Sequence, residues 1–171
     1  TGIDINDGFL YYSNFNEVIR VALPQKDLVP MGVPVVIATG FPEQNQHQDK
    51  TFALDGAGYL YVNVGAPSNA CQVKDRTPGS LGMDPCPYLE RHAGIWRFRA
   101  DLPGQSQMVN GQRYASGIRN SIALAWNYSN NKLYVVQHGR DQLSQFYPDL
   151  YTDQQGAELP AEEFFMVENG D

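Results

Sequence analysis

Short apolar runs, each followed by a polar or glycine turn and a second apolar run, recur three times along the chain. The first is Ile3-Asp4-Ile5-Asn6-Asp7-Gly8-Phe9-Leu10-Tyr11-Tyr12. The second is Phe52-Ala53-Leu54-Asp55-Gly56-Ala57-Gly58-Tyr59-Leu60-Tyr61-Val62. The third runs from Ile122-Ala123-Leu124-Ala125-Trp126-Asn127 through Tyr128-Ser129-Asn130-Asn131 to Lys132-Leu133-Tyr134-Val135-Val136. Asn and Gly supply the positive φ angles that tight hairpin turns require, so each unit predicts a β-hairpin. Further strands are predicted at Glu17–Leu23, Pro34–Ala38 and Gly94–Arg99. No long stretch holds a 3.6-residue period; the one weak helix signal is Pro160-Ala161-Glu162-Glu163-Phe164.

The spacing of the hairpins narrows the fold class. Asp7-Gly8 and Asp55-Gly56 lie 48 residues apart, and Asn130-Asn131 follows 75 residues later. The longer interval contains a Pro-, Gly- and Asp-rich stretch over residues 66–93, which reads as a loop insertion. Hairpins at 40–50-residue intervals are the mark of β-propeller blades. The expectation is therefore an all-β chain forming about three blades, incomplete at both ends, over residues 1–171. An open meander or sandwich built of the same hairpins is the alternative.

Composition agrees with short strands and turns: 12% aromatic residues, 16 Gly and 11 Pro in 171 residues. The net charge of −7 makes nucleic acid and anionic lipid poor partners. No apolar run reaches the length of a bilayer span. Cys71 and Cys86 both lie in the 66–93 loop. An even count there favours a disulfide and an oxidising compartment, with two independent thiols as the alternative.

Several polar residues stand where a propeller exposes its channel rim, at the entry to inner strands or the end of the next. His47 precedes the second hairpin and has the chemistry of a general base. Arg119 and Asn120 precede the third, where an arginine can hold an anionic oxygen. His138-Gly139-Arg140-Asp141 follows Val135-Val136, and carbonyls exposed in such a turn can ligate a hard cation. Glu162 and Glu163 form an acidic pair that could also reach calcium. Each of these, taken alone, is more often a solvated loop residue, a surface ion pair or a packed turn residue. No EF-hand, Cys-x-x-Cys, phosphate-binding loop or serine nucleophile elbow is present.

In their order and spacing, His47 to Cys71, Gly117-Ile118-Arg119-Asn120-Ser121, His138-Gly139-Arg140-Asp141 and Leu159 to Glu163 resemble the soluble glucose/sorbosone dehydrogenases dependent on pyrroloquinoline quinone (PQQ). The Gly65-Ala66-Pro67-Ser68-Asn69-Ala70-Cys71 segment is most similar to the sorbosone dehydrogenase branch. The resemblance implies a six-bladed propeller that passes hydride from an aldose-like sugar or sugar aldehyde to PQQ, with calcium. It implies His47 as catalytic base, Arg119 as the electrostatic catalytic partner, and Arg119, Asn120, His138 and Glu162 at the cofactor. Gly139, Arg140 and Glu163 would hold the metal. A periplasmic or secreted location, and a cytochrome or other electron acceptor, would follow. The chain departs from the pattern at Gln48-Asp49-Lys50-Thr51, at Arg140 where proline is frequent, and at Glu162-Glu163 where Asp-Glu is usual. A non-catalytic propeller of the same ancestry is the competing reading; a calcium-dependent lactonase-type hydrolase ranks last, because no convergent carboxylate set is evident.

Overall fold

The computed structural model describes residues 2–26, 28–159 and 162–171. The first hairpin joins β1 (Ile3–Asn6) to β2 (Phe9–Ser13), and both Asp7 (φ 48°) and Gly8 (φ 75°) adopt the left-handed conformation of a two-residue turn. The strands β3 (Val18–Ala22) and β4 (Met31–Thr39) extend this sheet, and β8 (Gln105–Ser106) closes its edge by parallel pairing to β4. A second sheet orders β5 (Phe52–Leu54), β6 (Tyr59–Val64), β7 (Gly94–Arg99) and β9 (Gln112–Ser116). A third orders β10 (Ser121–Asn127), β11 (Lys132–Gln137) and β12 (Glu163–Val167). The fold is thus mostly β, in three open sheets whose pairings are antiparallel apart from β4 with β8.

The period-2 alternation of the middle sheet explains how the three pack. Leu60, Val62, Val64, Trp96 and Phe98 point one way, into a core shared with Tyr11, Val18 and Ala38 of the first sheet. Tyr61, Ile95, Tyr114 and Ala115 point the other way, into a core with Leu133, Val135 and Val167 of the third. Tyr61 stacks on Trp126 (centroids 5.3 Å apart) and meets Tyr114 edge-on (4.9 Å). The far faces of the outer sheets are also apolar yet uncovered: Ile3 and Ile5 are 75% and 62% exposed, Phe164 and Met166 71% and 44%. β5 lies against β1 on one side and β10 on the other.

All three predicted hairpins and the three further strands are present. The helix expected over 160–164 is not: Glu163 and Phe164 begin β12, where they pair with Gln137 and Val136, while Pro160 and Ala161 lie outside the described residues. Alternation of Phe165 and Val167 inward with Phe164 and Met166 outward carries the strand. Two short helices, α1 (Leu143–Phe146) and α2 (Asp153–Glu158), occupy the connection before it, and Thr152 with Gln155 forms a capping box on α2. Residues 65–93 connect β6 to β7. Cys71 and Cys86 are joined in a disulfide, with Cα atoms 6.2 Å apart, and a 3₁₀ turn, Pro87–Glu90, follows.

Candidate functional site

The loop into β5 carries His47. Its backbone is left-handed (φ 51°), a conformation costly for a residue with a Cβ and found preferentially where surrounding structure imposes it. The Gln44 side chain imposes it here, donating to the carbonyls of Gln46 (2.6 Å), His47 (2.9 Å) and Gly65 (3.1 Å). His47 Nδ1 lies 2.6 Å from the Ala66 carbonyl. A carbonyl only accepts, so Nδ1 carries the proton and Nε2 presents a lone pair. Burial is the main reason the imidazole pKa falls below its ordinary value; the cations Arg119 and Arg76 push it the same way, against the Ala66 hydrogen bond and Asp141. His47 is accordingly neutral at neutral pH.

Ala66 connects His47 to the arginine. Its N–H donates to the Arg119 carbonyl at 2.7 Å. Arg119 is largely buried (11% side-chain exposure). Its Nε donates to the Asn69 carbonyl (2.9 Å), Nη2 to Asn69 Oδ1 (2.8 Å) and Nη1 to the His138 carbonyl (3.4 Å). Asp141 stands 3.7 Å from Nη2 and 2.9 Å from Arg76 Nη1. Asn120 accepts at Oδ1 from Asn63 Nδ2 (3.4 Å), and its carbonyl accepts from His138 N–H (3.0 Å). His47, Arg119, Asn120 and the His138–Asp141 turn therefore meet at one end of the middle and third sheets.

The remaining expected residues lie at the edge of this cluster. His138 and Arg140 are exposed, and Gly139 is half-buried between them. Among the described residues no donor reaches the Gly139 or Arg140 carbonyls, which leaves two oxygens free for a hard cation. Glu163 is exposed and pairs with Gln137, whose amide donates to its carboxylate and whose Oε1 accepts from Arg119 N–H (3.1 Å). Glu162 is exposed, and among the described residues no hydrogen bond or ion pair joins it to the cluster. Among the described residues no three His, Cys, Asp or Glu side chains gather as metal ligands. Carbonyl oxygens are donors of the kind calcium takes, and an ion held by these two would draw most of its six to eight oxygens from a ligand or water. An apolar hollow of about 220 Å³ adjoins Arg119 and Arg140, walled by the Cys71–Cys86 disulfide and Tyr88.

No family model matches the chain, and no curated protein matches it. Among solved structures it is similar to a carbohydrate-active enzyme of family AA12 from Trichoderma reesei. The iodide structure matches at a TM-score of 0.73 and 18% identity, covering 99% of this chain and 40% of that one. The calcium structure matches at 0.70 and 17%, with the same coverage. The holo form of the PQQ domain of pyranose dehydrogenase from Coprinopsis cinerea matches at 0.65 and 15%, covering 82% of this chain and 33% of that one. The chain has their fold. It spans 40% or less of the length of each.

Sequence reasoning missed the residues that hold the cluster together. Gln44 and Gln46 sit in a loop read only for its histidine. Asn69, Asp75 and Arg76 belong to the cysteine loop, read as an insertion. Asp75 accepts from Gln46 Nε2 (2.6 Å) and from Asn69 N–H (2.9 Å), and Arg76 Nε donates to Gln46 Oε1 (3.3 Å). Asn69 stood in the quoted Gly-Ala-Pro-Ser-Asn-Ala-Cys segment, but nothing local marks it as buried. No helix among the described residues is long and apolar enough to cross a membrane.

Proposed function

We propose that the chain is part of a PQQ-dependent oxidoreductase acting on an aldose-like sugar or sugar aldehyde, of the glucose/sorbosone dehydrogenase kind and nearest its sorbosone branch. One observation carries this reading: a neutral His47 with a free Nε2 stands beside a buried Arg119, on a fold shared with a PQQ domain. When bound, PQQ is the group that accepts the substrate hydride. His47 Nε2 takes the proton from the substrate hydroxyl, and the Ala66 carbonyl stabilises the imidazolium through Nδ1. Arg119 supplies a fixed positive field that needs no reorganisation during the reaction, because Asn69 already holds two of its nitrogens. Asn120 and His138 supply polar contacts, Glu162 a further carboxylate. The Gly139 and Arg140 carbonyls, with Glu163, are the protein oxygens offered to calcium.

The three sheets are read as three blades of a six-bladed ring, residues 1–171 being a part incomplete at both ends and 66–93 an insertion in the second blade. The uncovered apolar outer faces support this, because each has the character of the inner interfaces. The disulfide supports a periplasmic or secreted location. The electron acceptor would be a cytochrome or another redox partner. A non-catalytic propeller of the same ancestry is the second reading, and the Asp141 carboxylate 3.7 Å from Arg119 Nη2, which offsets the guanidinium charge, favours it.

The test is titration of the complete protein with PQQ, with and without calcium, followed by dye reduction with aldoses. Calcium-dependent quinone binding and turnover that falls by about 10²–10⁴-fold in His47→Ala are expected. Absence of quinone binding would favour the interaction module; unchanged turnover in His47→Ala would remove that residue from the chemistry.

A further inference from the structure

Asn69 lies in the cysteine loop, two residues before Cys71, and is 2% exposed. Its side-chain amide spans the main chain of Asp141: Oδ1 accepts from Asp141 N–H (3.0 Å), and Nδ2 donates to the Asp141 carbonyl (2.7 Å). The same Oδ1 accepts from Arg119 Nη2 (2.8 Å), and the Asn69 carbonyl accepts from Arg119 Nε (2.9 Å). Its own N–H donates to Asp75 Oδ1 (2.9 Å). One buried residue thereby engages the guanidinium, the end of the 138–141 turn and the loop closed by the disulfide.

The turn is held at both ends. His138 N–H donates to the Asn120 carbonyl and Asp141 is held by Asn69, while the Gly139 and Arg140 carbonyls between them stay free of donors among the described residues. We infer that Asn69 is a positioning residue that fixes Arg119 and the free carbonyls of the 138–141 turn relative to each other. No other side chain of similar size reproduces this. Aspartate keeps the acceptor but loses the donor, leucine loses both, and glutamine displaces the amide by a methylene.

The geometric coupling is independent of the proposed chemistry; its consequence for turnover rests on the dehydrogenase reading. The two separate in one experiment on the intact protein, with Asn69→Ala and Asn69→Asp compared by amide hydrogen exchange, calcium titration and kinetics. In Asn69→Ala the Asp141 amide is expected to exchange about tenfold faster or more, while the β6 and β7 amides keep their protection. In Asn69→Asp the acceptor for the Asp141 N–H survives but a carboxylate oxygen replaces the donor to the Asp141 carbonyl, so the Asp141 amide is expected to exchange faster than wild type, though less so than in Asn69→Ala. Calcium binding in the absence of sugar weakens in Asn69→Ala, and kcat falls with it. Unchanged Asp141 exchange in Asn69→Ala overturns the inference. Should Asn69→Ala fail to fold, unchanged Asp141 exchange in Asn69→Asp overturns it equally. Faster exchange in a protein that binds no quinone would leave the positioning role standing and remove the dehydrogenase reading.

Discussion

His47 Nδ1 and the Ala66 carbonyl are 2.6 Å apart, and this contact determines which imidazole nitrogen is available for chemistry. A donor in place of that carbonyl would select the opposite tautomer and direct the protonated nitrogen at the substrate. The left-handed backbone of His47 and the three bonds from Gln44 keep the ring against Ala66.

Because burial lowers the His47 pKa below 6.5, the neutral base persists to lower pH than a solvated histidine allows. The acid limb of kcat/KM against pH is expected to have its midpoint below 6.5. A midpoint above 6.5 would mean that a different group titrates.

A Cβ added to Gly65 would stand 2.6 Å from His47 Cβ, 2.7 Å from the His47 carbonyl and 2.9 Å from Asn120 Oδ1. Gly65→Ala must therefore move His47, and a fall in kcat/KM of about 10²-fold is expected. Gly82→Ala, which adds a methyl into open space, is the control. Equal activity in the two variants would dissociate His47 position from function.

The disulfide closes a separation of 15 residues. In the chain-entropy model this amounts to roughly 3 kcal/mol. Cys71→Ser with Cys86→Ser is expected to lower the denaturation midpoint accordingly. It should also raise proteolytic sensitivity within 72–85, the loop that carries Asp75 and Arg76. A midpoint identical to wild type would assign the loop's order to its hydrogen bonds alone.

Lys50 is fully buried, donating to the Gln48 carbonyl and facing the Phe41 ring. Burial brings its pKa from 10.5 to about 8, with Asp49 opposing the shift; His92 is the other titratable group nearby. Between about pH 8 and 10.5 the unfolded chain binds the proton more tightly than the folded one. Stability relative to Lys50→Met is therefore expected to rise across that window, by roughly 3 kcal/mol at most, and to be lost again as pH falls through about 8. Parallel stability curves for the two proteins from pH 7 to 10 would show that Lys50 does not titrate there.

Where the pattern was local, reading along the chain was sufficient. Asp7-Gly8 and the alternation of Leu60, Val62 and Val64 against Tyr61 are set within ten residues, so the hairpins could be read directly, whereas the core each face enters is set by the neighbouring sheets. The β12 strand could not, because Glu163-Phe164 follows a proline and its pairing partners, Gln137 and Val136, lie more than 25 residues earlier. His47, Arg119, Asn120 and the 138–141 turn were picked out by residue type and by family likeness, as separate candidates.

Residue order along the chain was thus enough for strand periodicity, turn chemistry and the identities of the ionisable groups, all of which depend on near neighbours. Only the packing of the sheets decided that Ala66 selects the His47 tautomer and that Asn69 bridges Arg119 to Asp141. Those contacts join residues 19, 50 and 72 positions apart. A hydrogen bond at such separation leaves no period in the sequence; it exists because the sheets bury their apolar faces and bring the loop ends together.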